Sequence, residues 1–127
     1  MNPVTGLCLG RIAVGVASLV KPRQVAAVLG PTSPQASPLM TQWFGTRELA
    51  LGLVTLVSSG SARRHLVVTG MLVDAGDAGT AYLGIQQGTL PRELGWAAVA
   101  IAISAVVLAP LGLLARSGPE VARTPAV

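Results

Sequence analysis

The chain has 127 residues, 51% of them hydrophobic and only 11% charged, and its mean hydropathy is +0.64. A soluble domain carries about 25% charged residues, so this balance points to a membrane protein of one domain. The net charge of +4 comes from nine scattered basic residues without interleaved aromatics, which excludes a nucleic-acid-binding stripe; Cys8 and His65 are each alone, which excludes an internal disulfide and a Cys/His metal site.

The first apolar segment covers residues 4–20 and stops at Lys21, Pro22 and Arg23. It is near the lower limit of about 17 residues for a span. No lipoprotein or signal-peptide cleavage is expected, because the stretch before Cys8 is short and lacks a charged start, and Arg11 interrupts the apolar run. The connection that follows contains Pro31, Pro34 and Pro38. It reads as a short interfacial helix, "RQVAAVLG", and then a loop. The second segment covers residues 39–58 and includes "FGTRELALG". "SSGSARR" reads as a tight turn. The third segment covers residues 65–84, "HLVVTGMLVDAGDAGTAYLG". After "QQGTLPRE", with Pro91 suited to a helix start, the fourth segment covers residues 94–114 and carries no charge. Residues 117–127 read as a polar, disordered tail behind a transmembrane domain of residues 1–116. The expected fold is therefore all-α: an integral membrane four-helix bundle.

Five ionisable residues fall inside the expected spans: Arg11, Arg47, Glu48, Asp74 and Asp77. On insertion scales each is unfavourable by about 2.5–3.5 kcal/mol at a helix centre, against about 0.3–0.6 kcal/mol gained per apolar residue. The third segment is marginal by that arithmetic and needs its neighbours. With a rise of about 1.5 Å per residue, all five lie near mid-span, so they can meet if they face inward. Asp74 and Asp77 share a face at i, i+3. Gly45 and Gly52 flank Glu48, and Gly70 precedes Asp74, so small residues let these helices approach closely. Gly6 and Gly10 form a GxxxG before Arg11. The expectation is that Arg47 pairs bidentately with one Asp, that Arg11 takes Glu48 or the other Asp, and that the fourth helix covers the cluster. Two arginines against three acids leave one carboxylate in excess.

Loop charges give a topology. Arg63, Arg64, Arg116 and Arg123 fall on one side, and Lys21, Arg23 and Arg92 on the other. The positive-inside rule then puts both termini in the cytoplasm of a multi-pass cell-membrane protein.

"DAGDAGTAY" resembles the start of the CDP-alcohol phosphotransferase signature, but Ala78 and Tyr82 replace its Gly and Arg, and no Asp follows Asp77 to complete a metal site. Small multidrug transporters carry an essential Glu in the first helix, where this chain has Arg11. "GRIAVG" (residues 10–15), "FGTRELALG" (residues 44–52) and "VDAGDAG" (residues 73–79) resemble the small DoxX-like and related four-helix membrane families of unknown function from actinobacteria. That resemblance covers residues 4–114; Arg47, Glu48 and Gly52 match its Arg–acid–Gly pattern in the second helix. It implies the fold and no mechanism.

No catalytic residue, metal ligand or cofactor is expected, since no nucleophile–base pair is present. The expected partners are membrane lipid and either a second copy or another membrane protein. The expected function is structural or in assembly, through the intramembrane network. The alternative is a proton- or cation-coupled small transporter, because intramembrane carboxylates are candidate sites.

Overall fold

A computed structural model of the chain describes residues 2–28 and 37–114. The described residues form five helices in order: α1 (Pro3–Val20), α2 (Pro22–Ala27), α3 (Pro38–Val57), α4 (Gly60–Gln86) and α5 (Arg92–Leu114). Among the described residues there is no strand, and the fold is all-α.

Local chemistry sets the helix ends. Pro3, Pro22 and Pro38 open α1, α2 and α3, where a missing N–H leaves no helical bond unmade and φ is already helical. The Asn2 side chain accepts from the Val4 N–H at 2.8 Å and caps α1. Gly60 opens α4 with φ +58°, and Gly88 leaves it with φ +69°, a left-handed region that glycine enters without a Cβ clash. Past that exit, the Thr89 and Leu90 amides both donate to the Gly84 carbonyl, at 3.0 and 3.1 Å.

The third long helix departs most from the sequence expectation. "SSGSARR" does not form the turn; only Ser58 and Ser59 are non-helical, and Arg63 and Arg64 lie inside α4. Ala62 and the two arginines are good helix formers, and no proline stops them. The expected interfacial helix is shorter than "RQVAAVLG" and ends at Ala27. The loop read at residues 31–38 and the tail at residues 117–127 lie mostly or wholly outside the described residues.

Around the bundle the order is α1, α3, α4, α5, with each helix packed on the next and α5 on α1; α2 rests on α3 and α1. The antiparallel α1–α3 pair is the tightest. A Cβ added at Gly15 would lie 2.8 Å from the Gly45 carbonyl oxygen, and one added at Gly45 would lie 2.6 Å from Ser18 Cβ. A Cβ at Gly52 would lie 2.9 Å from the Cys8 carbonyl oxygen. Hydrogen at these three positions is what lets the two backbones touch. Gly10, the second glycine of the GxxxG, plays no such part, since a Cβ there would meet nothing within 4 Å.

Polarity is distributed inside out. Arg11, Ser18, Thr41, Glu48, Thr55, Arg63 and Asp74 are buried. Leu72, Ile101, Leu111 and Leu114 are among many large apolar side chains facing outward. The buried apolar cluster is small: Val4, Cys8, Val67 and Ala109, with Leu7, Leu56 and Met71 against it. Among the described residues two helices, over Pro3–Val20 and Arg92–Leu111, are long and apolar enough to cross a membrane, with mean hydropathies of 1.7 and 2.2. The charges of α3 and α4 are the reason these helices, though longer than α1, read as less apolar.

Candidate functional site

Three helical faces build the site. On α1 the buried residues are Val4, Cys8, Arg11, Gly15 and Ser18, and on α3 they are Thr41, Gly45, Glu48, Gly52 and Thr55. Both rows step by four and three residues, which keeps one face turned to a neighbouring helix. On α4 the row is Arg63, Val67, Gly70 and Asp74. Arg11 and Glu48 are the charged groups near the middle of the first two rows, and the α4 row carries Arg63 at one end and Asp74 at the other.

Arg11 is the hub. Its Nη1 donates to Glu48 Oε2 at 2.6 Å and its Nη2 donates to Asp74 Oδ2 at 2.5 Å. All three side chains are at most 10% exposed. One guanidinium from α1 therefore ties α3 to α4. The sequence reading gave Arg11 a single acid; it takes two, because the fork of the guanidinium presents parallel donors in two directions. Gly70 makes room for that head group: a Cβ there would lie 3.4 Å from Arg11 Nη2.

Arg47 forms the second node. It meets Asp77 through two hydrogen bonds and reaches Glu48 Oε1 only at 3.4 Å. Its guanidinium carbon sits 5.1 Å from the centroid of Phe44, a cation–π distance. This node lies at the seam between α3 and α4, with the Arg47 and Asp77 side chains 36% and 40% exposed. The expectation that the last helix covers the whole cluster is corrected here: α5 packs on α4 and α1, away from that seam. The surplus acid sits at the first node, where Glu48 and Asp74 share Arg11.

All five expected residues thus fall into one connected network, Asp74–Arg11–Glu48–Arg47–Asp77. Gly45, Gly52 and Gly70 support it by close approach. Arg63 was not foreseen. It is buried on α4 and donates from Nη2 to Thr5 Oγ1 at 3.3 Å, joining the start of α4 to the start of α1. The signal for it was the spacing Arg63, Val67, Gly70, Asp74, which only becomes visible once the helix is extended back to Gly60. Between this contact and Arg11 lies a cavity of about 10 Å³, lined by Val4, Leu7, Cys8, Thr55, Val67 and Gly70 among others. That is room for about one water.

Chemically the network can hold helices in register. No side chain in it is a hydroxyl or thiol nucleophile beside a base.

No family model matches this chain, and neither a curated protein nor a solved structure matches it.

Proposed function

We propose that this chain is an integral membrane protein whose α1, α3, α4 and α5 cross the bilayer, and whose Arg–acid network locks the order of those helices. The carrying observation is the reversed polarity: ion pairs and hydroxyls inside, large apolar side chains outside. In water that arrangement lacks a hydrophobic drive; in lipid it pairs Arg11 and Arg47 with acids inside the protein and leaves hydrocarbon against hydrocarbon. Only 28% of Pro3–Val20 and 17% of Arg92–Leu111 is buried, unlike the core helices of a soluble bundle. The role is structural or in assembly rather than catalytic. The likeness of Arg47, Glu48 and Gly52 to the DoxX-like pattern fits this reading, and both termini are assigned to the cytoplasm on the four-to-three charge balance, with Arg63 and Arg64 counted at the start of α4 rather than in a loop.

The test is extraction. Membranes carrying the protein are washed with alkaline carbonate, and single cysteines at Ser59 and Thr89 in a Cys8→Ser background are labelled from one side. Retention in the pellet, with Ser59 and Thr89 labelled from opposite sides, supports four spans. Release into the supernatant sinks the proposal.

A second reading, a proton- or cation-coupled transporter, is favoured by one observation: Asp77 is 40% exposed at a helix seam beside an otherwise buried acid network. Proteoliposomes with a pH-sensitive dye inside test it. Acid-pulse proton entry that is lost in Asp77→Asn would establish it, and entry no faster than in empty vesicles removes it.

A further inference from the structure

The exposed node of the network points outward at a depth where lipid offers it nothing. Arg47 lies nine residues after Pro38, the start of α3, and Asp77 nine residues before Gln86, the end of α4. These two helix ends lie on the same side of the bundle, so both charges sit at about the same depth, roughly 13 Å in. Asp77 and Arg47 are more than a third exposed there, and a buried Arg47 Nε atom has no hydrogen-bond partner. Beside them, Ala50 on α3 and Gly76 on α4 are exposed, and a Cβ at Gly76 would meet nothing within 4 Å. The seam is therefore polar at its centre, with small residues at Ala50 and Gly76 and the exposed Phe44 ring against Arg47.

We propose that this α3–α4 face binds a second copy of the same chain through a two-fold axis along the membrane normal. The argument is charge complementarity. α3 and α4 run side by side in opposite directions with a cation on one and an anion on the other at equal depth. A two-fold rotation places α3 of one copy opposite α4 of the other. Arg47 then faces Asp77 of the second copy, and Asp77 faces Arg47, so four charges alternate around the axis. A like-charge clash would arise instead if the axis ran against one helix alone, so that Arg47 faced its own copy or Asp77 faced its own copy. The small Gly76 and Ala50 allow the backbones close enough for that ring to close. Covering the node with protein removes two charged groups from hydrocarbon in each copy. This inference rests on the membrane reading above.

Cysteine cross-linking in native membranes tests it, using a Cys8→Ser background with one new cysteine at a time. Gly76→Cys is expected to give a disulfide-linked dimer on mild oxidation, at least about tenfold more than Ile101→Cys, which lies on α5 and is 71% exposed. Adding Asp77→Asn to Gly76→Cys is expected to lower the dimer yield severalfold. Exchanging the charges, Arg47→Asp with Asp77→Arg, keeps the alternating ring and is expected to restore it. Equal cross-linking at Gly76→Cys and Ile101→Cys, or none at Gly76→Cys, overturns the proposal. Loss of dimer in the charge-exchanged variant, with the protein still folded by tryptophan fluorescence, overturns the charge argument. Failure of the membrane reading is separately visible, because carbonate would then release the uncross-linked protein.

Discussion

Arg47 and Asp77 meet side-on: Nη1 donates to Oδ1 at 3.0 Å and Nη2 donates to Oδ2 at 2.5 Å. Two parallel bonds between α3 and α4 fix both the distance and the rotation of these helices. Glu48, the immediate neighbour of Arg47 in sequence, is the weaker partner at 3.4 Å.

The first prediction follows from that pair. Arg47→Leu strands Asp77, whereas Arg47→Leu with Asp77→Leu strands neither. The double variant should retain more folded protein in detergent than the single one. The coupling should be about 0.6–1.7 kcal/mol, the range found for polar pairs between membrane helices. Equal losses in both variants would show that the two residues are not coupled.

Arg11 should matter more. Removing it leaves Asp74 without a cation and Glu48 with only its 3.4 Å contact to Arg47, at side-chain exposures of 10% and 8%. Arg11→Leu should therefore destabilise by about 3–5 kcal/mol, read as lost folded yield or an earlier denaturation midpoint in detergent. Arg11→Leu combined with Glu48→Gln and Asp74→Asn should recover a substantial part of that loss. No recovery would mean that Arg11 acts by packing rather than by charge.

Two glycine variants separate a packing position from an idle one. Gly45→Val should disrupt the α1–α3 contact, since its Cβ would fall 2.6 Å from Ser18 Cβ and 2.9 Å from the Gly15 carbonyl oxygen. A loss of about 2 kcal/mol or more is expected, in the range of overpacked cores. Gly10→Ala should be neutral or slightly stabilising, because its Cβ points into open space and alanine favours helix. The measurement is thermal aggregation in detergent. Gly10→Ala proving as harmful as Gly45→Val would contradict the packing described.

Tryptophan depth gives an independent check of the membrane reading. Trp43 lies five residues from the start of α3 and Trp96 four from the start of α5, two helix ends on the same side of the bundle. Trp43 is 61% exposed; Trp96 is also exposed and packs edge-on against Tyr82 at 6.1 Å. Such rings settle at the headgroup level. Quenchers placed shallow in the bilayer should quench Trp43→Phe and Trp96→Phe variants equally, and more strongly than quenchers at the bilayer centre. Strong quenching by aqueous iodide alone would argue that no bilayer surrounds them.

The sequence by itself carried the helical class, the approximate limits of four long helices and the identity of the five ionisable residues. Each rests on local chemistry: apolar runs, proline and glycine punctuation, and the penalty that makes a charge within such a run conspicuous. It also marked Gly45, Gly52 and Gly70 as small residues beside charges. Tertiary structure decided the rest. It set Arg11 between two acids, chose Asp77 rather than Asp74 for Arg47, turned Gly10 away from any neighbour, and brought Arg63 inward to Thr5. It also left the Arg47–Asp77 seam open by placing α5 on the other side of the bundle. The chain showed that Arg47 would take an Asp and that Arg11 would take Glu48 or the other Asp, but not which Asp or that Arg11 holds two acids, because periodicity tells which residues share a face but not which helix that face meets. Partner choice among two arginines and three acids depends on helix rotation and neighbour order, and those are fixed by how closely the Gly15, Gly45 and Gly52 backbones allow α1 and α3 to approach.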